Sequence, residues 1–198
     1  MTILLIVITS AISILGFRNK DIFDKLQFNP YQVYHKKQWH RLITHGFLHA
    51  DWVHLFVNMF VLYFFGTSVE RNFEQLAAAN IIQSPILTYV LLYFVSMIFA
   101  TVTTLAKQKD NIWYNSVGAS GAVSAVLFTH IFFSPLQMLY IYFIIPIPGI
   151  VFGVLYLGYS HYMSKRSGDN INHDAHFIGA VFGFLFPLLI DPQLINVF

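Results

Sequence analysis

The sequence contains no cysteine and very little charge. Without cysteine the chain forms no disulfides, offers no thiolate to a metal ion and has no cysteine nucleophile. Only 10% of the residues are charged and the formal net charge is +2, which is too small to predict nucleic acid as a partner. Hydrophobic residues make up 57% of the chain, well above their share in a soluble domain. The composition therefore predicts a protein whose solvent is the lipid bilayer.

Six apolar runs, each free of charged residues, divide the chain. A helix needs roughly 20 mostly apolar residues to cross the hydrocarbon layer, so each run is a candidate span. Lipid offers no partner to backbone N–H and C=O groups, and the runs do not alternate as barrel strands do, so helices are expected. The candidate spans are residues 1–17, 52–69, 85–106, 116–133, 136–163 and 175–190. We therefore predict an all-α membrane protein in which residues 1–198 form a single six-transmembrane-helix bundle.

Two segments differ from a plain membrane span. Residues 18–51 form the longest connection and mix charges with aromatic residues, a composition typical of a segment that lies among lipid headgroups. We expect a structured interfacial loop there, and we call this segment the first loop. The fifth apolar run contains Pro146, Pro148 and Gly149 near its middle, and the two missing N–H donors predict a kinked helix.

A serine follows a glycine at the start of the fourth run, in the sequence Gly118-Ala119-Ser120-Gly121. Small residues in a membrane helix often mean only that a neighbouring helix packs closely. The position also fits a nucleophile, because a serine at a helix N-terminus lies beside backbone N–H groups that can stabilise an oxyanion.

A histidine in the sixth run shares a helical face with two glycines. His176, Gly179 and Gly183 have the spacing i, i+3 and i+7, so the imidazole lies along a groove that another backbone can approach closely. If this face meets the start of the fourth run, His176 comes within hydrogen-bond reach of Ser120, as the activation of a serine hydroxyl requires. A purely structural histidine is the alternative. Asp174 points in another direction from the helix, so we interpret it as a helix-start or loop residue.

His54 and Asn58 in the second run have the spacing i, i+4 and lie on one helical face. A ring N–H and an amide N–H aimed at one point would stabilise an oxyanion, whereas interhelical hydrogen bonds are the structural alternative. His45 and His49 have the same spacing, which can hold zinc on a helix. No His-Glu-x-x-His pattern or third ligand accompanies them, so we predict no metal site. They belong to a cluster of five histidines, namely His35, His40, His45, His49 and His54.

Together these motifs resemble the rhomboid family of intramembrane serine proteases, over about residues 39–183. The stretch from Trp39 to Trp52 resembles the first-loop signature of that family. The other matching motifs, in chain order, are His54-x-x-x-Asn58, Gly66-x-x-x-Glu70, Gly118-Ala119-Ser120-Gly121 and Ala175-His176-x-x-Gly179-x-x-x-Gly183. Each motif is weak by itself, but their shared order along the chain is specific.

The resemblance implies a catalytic dyad of Ser120 and His176 without an acidic third member. It implies an oxyanion site formed by His54, Asn58 and the backbone N–H of Ser120. It also implies that Arg41, Glu70 and the motif glycines Gly118, Gly121, Gly179 and Gly183 are structural supports. Two positions differ from the family pattern. Ser124 stands where an aromatic often stacks on the base, and Glu74 stands where a glycine is often found.

The predicted function is intramembrane serine endopeptidase activity on single-span membrane proteins near the membrane boundary. No cofactor is required, and the expected partners are membrane-protein substrates and the lipid bilayer. Two alternatives are a non-catalytic rhomboid-like protein that binds or escorts membrane helices, and a small transporter or metal-handling protein that uses the histidines. We expect a multi-pass integral membrane protein, in the plasma membrane of a bacterium.

Charge and resemblance disagree about orientation. With six spans, ten of the eleven Lys and Arg residues fall on one side and only Arg71 on the other. The positive-inside rule places the larger set in the cytoplasm. The resemblance places the same side, with the first loop and the mouth of the site, outside the cytoplasm, and we adopt that orientation.

Overall fold

Six helices of 14 residues or more build the molecule in the computed structural model, which describes residues 1–141, 144–166 and 171–197. They match the six apolar runs in order, and their bounds are α1 Thr2–Arg18, α5 Trp52–Ala78, α6 Pro85–Gln108, α7 Ser120–Phe133, α8 Gly149–Met163 and α9 His173–Ile190. The largely helical prediction is thus confirmed.

Polar side chains in the sequence fix where three of these helices begin. Asp51 accepts the backbone N–H of His54 at 2.7 Å and caps α5. Ser84 caps α6 and precedes Pro85, whose missing N–H is harmless in the first helical turn. Asn172 accepts the N–H of Ala175 and caps α9, four residues before His176. The start of α9, and with it the position of the histidine, is therefore defined locally.

The connection between α1 and α5 is folded throughout, as predicted. It contains α2, α3, α4 and a short 3₁₀ helix, with the bounds Lys20–Leu26, Pro30–Lys36, Arg41–Thr44 and His45–Phe47. Arg41 is buried at the centre of this loop. Its Nη1 donates to the carbonyl oxygens of Asp24 and Gln27 at 2.8 and 2.6 Å, and its Nε donates to Gln38 at 2.6 Å. One guanidinium thus ties α2 to α4.

The predicted kinked helix in the fifth run is wrong. Residues Met138–Ile141 (β1) and Ile145–Pro148 (β2) pair as an antiparallel hairpin, and α8 begins only at Gly149. The N–H of Gly149 donates to Gln137 at 2.9 Å, so Pro146 and Pro148 fall at the alternate positions, where N–H groups face away from the partner strand. Prolines at these two positions remove no hydrogen bond between the strands, whereas within a helix each would remove one backbone hydrogen bond. The fold is therefore not purely α-helical.

The fourth helix starts later than predicted, at Ser120 instead of residue 116. Ser116 forms an antiparallel bridge with Phe28 of the first loop, with both N–H···O distances at 3.0 Å. Gly118 then has a φ of +126°, which lies outside the helical region and suits only glycine. The chain turns there and enters α7.

Helix α7 lies at the centre of the bundle. Every residue from Gly121 to Phe132 is buried, and the helix packs against α5, α6 and α9. The other long helices each expose large apolar side chains, as expected of surfaces that face lipid. Ser120 therefore begins the most enclosed helix of the protein.

Within the described ranges, three helices are long and apolar enough to cross a membrane alone: α5, α6 and α9. Helices α1 and α7 are apolar but shorter, and α8 has only 15 residues after the hairpin. The membrane character of the chain agrees with the prediction. The count of six spans is not established by these lengths.

Candidate active site

The loop before Ser120 is held by the first loop of the chain. Besides the bridge between Ser116 and Phe28, the N–H of Gly118 donates to the carbonyl oxygen of His45 at 3.0 Å. The amide of Asn29 donates to Asn115 at 2.9 Å. Residues 28–45 thus position the backbone that leads into α7, and they explain why the first loop is folded.

Gly118 forms the turn before α7, and its missing side chain also leaves space for the ring of His54. A methyl group added at Gly118 would lie 2.9 Å from Nε2 of His54, closer than a real contact allows. The same position lies 3.8 Å from Oγ of Ser120. The imidazole of His54 and the hydroxyl of Ser120 therefore lie on the same side of this loop.

Helices α7 and α9 cross with their backbones in contact. A side chain at Gly179 would collide with the carbonyl of Gly121, and one at Gly183 would collide with the carbonyl of Ala125. Thr129 donates to the carbonyl oxygen of Gly183 at 2.7 Å and joins the two helices further along. The predicted groove beside His176 is therefore filled by the start of α7.

This crossing brings Ser120 and His176 together. Nε2 of His176 lies 2.8 Å from Oγ of Ser120, which confirms the predicted proximity. Asp174 pairs with Lys107 at 2.6 Å. Its carboxylate is thus engaged by another helix, in agreement with the prediction that it starts α9 and turns away from the imidazole.

Ser120 lies well below the end of the neighbouring helix. Gly121 packs against Ala100 of α6, eight residues before that helix ends at Gln108. At about 1.5 Å of rise per residue, Ser120 is recessed by about 12 Å from the end of α6. A small cavity of about 20 Å³ lies beside it, lined by His45, Met97, Ser116 and Asn172 among others, with room for about one water molecule.

His54 and Asn58 lie one turn apart at the start of α5. The N–H of Ala50 donates to Nδ1 of His54 at 3.4 Å, which leaves the ring proton on Nε2, the nitrogen that faces Gly118. Asn58 is buried, and its amide donates one N–H to the carbonyl oxygen of His54 at 2.9 Å. The second amide N–H is not used by that bond, so both side chains retain a donor.

The sequence motifs and this geometry coincide with a known family. The Rhomboid domain family matches residues 36–192, which is most of the chain. The chain belongs to the rhomboid family. A relative from Arabidopsis thaliana, named RHOMBOID-like protein 12, mitochondrial, is 34% identical over 145 residues, or 71% of this chain.

The chain spans less than half of that relative, because the matched region covers 43% of the relative's length. The relative's name places it in mitochondria. This name gives no support to the expected bacterial plasma membrane, and the coarser assignment to an integral membrane protein is the one that stands.

One residue near the rhomboid motifs was not anticipated from the sequence. The ring of Tyr156 on α8 stacks on the imidazole of His176, with centroids 6.4 Å apart and an interplanar angle of 21°. Its hydroxyl lies 2.7 Å from Oγ of Ser124. The departure from the family pattern at Ser124 is thus accompanied by an aromatic from another helix. The contact depends on how α8 packs, and no spacing in the sequence indicates it.

The first-loop histidines make structural contacts. Nδ1 of His45 lies 2.9 Å from the carbonyl oxygen of Arg41, and Nδ1 of His49 lies 2.9 Å from the hydroxyl of Ser13. Burial lowers the pKa of His45 to about 4 and the pKa of His49 to about 3, because a charged ring would lose its hydration. In the described part of the chain no group of three His, Cys, Asp or Glu side chains is arranged to hold a metal ion.

Glu70 joins α5 to α1. Its Oε1 accepts the N–H of Thr2 at 2.8 Å, and the hydroxyl of Thr2 donates to Tyr89 of α6 at 2.9 Å. These contacts are of the supporting kind that the resemblance implies for Glu70. Gly66, one turn earlier on α5, lies against the same Thr2 and Tyr89 side chains.

Proposed function

We propose that this rhomboid is an intramembrane serine endopeptidase, with Ser120 as nucleophile and His176 as general base. The observation that carries the proposal is the 2.8 Å distance between Ser120 Oγ and His176 Nε2 at the N-terminus of a buried helix. A protein that only binds membrane helices has no need of this pair. In addition, an ionisable side chain inside a membrane bundle is costly to bury, so such residues usually have a function.

The reaction follows the ordinary acyl-transfer sequence. Oγ of Ser120 attacks the carbonyl carbon of the scissile peptide while Nε2 of His176 accepts the hydroxyl proton. The tetrahedral intermediate collapses, the C–N bond breaks and His176 returns the proton to the leaving amine. Water then attacks the acyl ester, with His176 again as base, and releases the second product and Ser120.

The oxyanion of the intermediate needs donors close to Ser120. We assign this role to the backbone N–H of Ser120, to Nε2–H of His54 and to the amide of Asn58. The N–H groups in the first turn of α7 have no intrahelical acceptor, and the helix dipole places positive potential there. His54 contributes because its ring proton is on the nitrogen that faces Gly118.

The substrate class follows from the recessed position of Ser120. We propose that the bundle crosses the bilayer six times and that Ser120 reaches a segment about 12 Å below the end of α6. An intact substrate helix hides its carbonyl groups in hydrogen bonds, so the segment must first unwind. Single-span proteins with Gly or Pro near the cut meet this need, because those residues cost a helix about 1 and about 3 kcal/mol.

Cleavage of a single-span reporter by the purified chain, with a chelator present, tests the proposal. Ser120→Ala and His176→Ala should abolish cleavage, whereas Ser134→Ala at the other end of α7 and His161→Ala on the exposed face of α8 should not. Asn58→Ala should lower the rate by about 10² to 10³, the usual effect of one oxyanion donor. Undiminished cleavage by Ser120→Ala would exclude the serine mechanism. Dependence on metal would instead favour a histidine-based site.

A further inference from the structure

The imidazole of His176 needs more than one contact to hold its plane. The contact between Nε2 and Ser120 places one ring atom, the ring of His173 lies edge-on at a centroid distance of 6.0 Å, and a contact with the ring face further restricts rotation about the bond to Cβ. In a serine triad a carboxylate supplies the second constraint. Here the carboxylate of Asp174 pairs with Lys107, so it does not supply that constraint.

Tyr156 covers one face of the imidazole. The two rings are nearly parallel, at 21°, and their 6.4 Å centroid separation is within the range of stabilising aromatic pairs. A ring that stacks in this way restricts rotation of the imidazole out of its plane. The contact thereby preserves the direction of Nε2 towards Ser120.

Tyr156 is itself fixed on three sides. Its hydroxyl lies 2.7 Å from Oγ of Ser124, and its ring packs against Phe128 at 5.4 Å and Phe152 at 5.8 Å. Ser124 and Phe128 both lie on α7, four and eight residues after Ser120, so the anchor belongs to the same helix as the nucleophile. The contacts from Ser120 to His176, to Tyr156 and to Ser124 thus close a circuit across α7, α9 and α8.

We propose that Tyr156 is a positioning residue for His176, and that Ser124 holds Tyr156 in place through its hydroxyl. The proposal rests on the proposed function. It also explains the small side chain at position 124, because a ring there would occupy the space that Tyr156 fills from α8.

The geometry of the dyad then depends on how α8 packs against the bundle. This helix buries only Gly149, Gly153 and Ser160, fewer than any other long helix in the described part of the chain. A displacement of α8 away from α7 removes the Tyr156 ring from His176 without moving Ser120. A docked α8 therefore favours the aligned form of the dyad.

Four variants separate the ring from its hydroxyl and from a neighbouring tyrosine. Tyr156→Leu removes the stacking ring, Tyr156→Phe keeps it, and Ser124→Ala removes only the anchor. Tyr162→Leu is the matched control, because Tyr162 is exposed on the same helix and its ring lies against Arg166.

Kinetics on the single-span reporter are the first readout. Tyr156→Leu should lower kcat by about 10- to 100-fold with little change in KM, as expected for a misaligned catalytic group. In Tyr156→Phe and Ser124→Ala kcat should fall only a few-fold, and Tyr162→Leu should match the unsubstituted chain. The unfolding midpoints of the four variants should equal that of the unsubstituted chain. Wild-type kcat for Tyr156→Leu in an active protein would overturn the positioning role and leave the proposed function standing.

A second readout does not depend on turnover. The ring current of Tyr156 should shift the imidazole resonances of His176. These resonances should move in Tyr156→Leu but not in Tyr162→Leu, also in a Ser120→Ala background. Unchanged His176 resonances in Tyr156→Leu would overturn the proposal. If the unsubstituted chain cleaves no better than Ser120→Ala, the proposed function fails and the positioning role falls with it.

Discussion

Single side chains in the site are oriented by backbone groups and neutral rings. Nδ1 of His54 accepts the N–H of Ala50, and the N–H of Gly118 is held by the carbonyl oxygen of His45. The carboxylate of Asp174, two residues before His176, pairs with Lys107. At the scale of residues, we therefore predict that the site needs no contribution from the carboxylate of Asp174, since a buried negative charge would be expensive within a membrane.

Replacing Asp174 with Asn tests this arrangement. The loss of the carboxylate of a serine triad lowers kcat by about 10⁴, whereas Asp174→Asn should reduce cleavage by no more than a few-fold, because only the ion pair with Lys107 is lost. Lys107→Gln breaks the same pair from the other side and should give the same small effect in the same assay. A loss of several orders of magnitude in Asp174→Asn alone would mean that the dyad has an acidic third member.

The proximity of Ser120 to His176 could be predicted from the sequence, whereas the contact with Tyr156 could not. Gly179 and Gly183 mark the face of α9 that meets another backbone, so the local spacing already points the imidazole at a partner helix. Tyr156 lies on a helix whose start is set by the hairpin before it. Its contact with His176 follows from tertiary packing, for which the sequence has no local signal.

At the scale of elements, the crossing of α7 and α9 decides where the dyad lies. Its glycines can be recognised by their spacing because only the absence of Cβ permits backbone contact. The hairpin of β1 and β2 was missed for a different reason. Apolar content does not distinguish an apolar strand from a helix, and the spacing of Pro146 and Pro148 fits a strand edge as well as a helix kink.

Adding a methyl group at the crossing should separate the helices. Gly179→Ala and Gly183→Ala place Cβ against the carbonyls of Gly121 and Ala125, and overpacking of this kind costs about 1–3 kcal/mol. We expect lower unfolding midpoints in detergent and a large loss of cleavage. Gly158→Ala is the matched control, because nothing lies within 4 Å of its added Cβ, and it should be neutral or stabilising. Equal stability of all three variants would contradict the close crossing.

At the scale of the whole molecule, the basic residues are concentrated at one end of the helix bundle. The first loop, the end of α6 and the end of α8 lie at the end of the bundle towards which Ser120 opens, and they carry nearly all of the basic residues. Two histidines of the first loop, His45 and His49, are buried beneath this charged layer. Both features have consequences that can be measured on the intact chain.

Topology can be measured with single cysteines, because the chain has none of its own. In a six-span bundle the exposed positions Lys36 and Lys165 lie on one side of the membrane, and Asn80 and Gln137 lie on the other. Cysteines at the first pair should react from the same side of sealed vesicles, and those at the second pair from the opposite side. Labelling of Gln137→Cys from the Lys36 side would mean that α7 and α8 do not cross. The side exposed to the cytoplasm then follows from the vesicle orientation.

The protein should become less stable as the pH is lowered, because His45 and His49 are buried as neutral rings. Their pKa values of about 4 and about 3 lie below the ordinary value of 6.5. Below about pH 6.5 the unfolded chain binds protons that the folded chain does not. The free energy of unfolding should therefore decrease from pH 7 to pH 5, by up to about 1.4 kcal/mol per pH unit for each ring.

Denaturation in detergent at several pH values checks this slope. His49→Gln should reduce the dependence between pH 7 and pH 5, whereas His40→Gln, at an exposed position of the same loop, should leave it unchanged. A slope that is the same in both variants would show that the buried ring of His49 does not set it.

The central claim is that His176 activates Ser120, and covalent labelling of the serine tests it most directly. A fluorophosphonate probe forms a P–O bond with an activated serine and releases fluoride, so mass spectrometry of the labelled protein identifies the nucleophile. We predict one adduct, on Ser120, in the unsubstituted chain and in Ser134→Ala, and no adduct in His176→Ala. Cleavage of the reporter by a preparation in which Ser120 remains unlabelled, or labelling of Ser120 that does not depend on His176, would contradict the account.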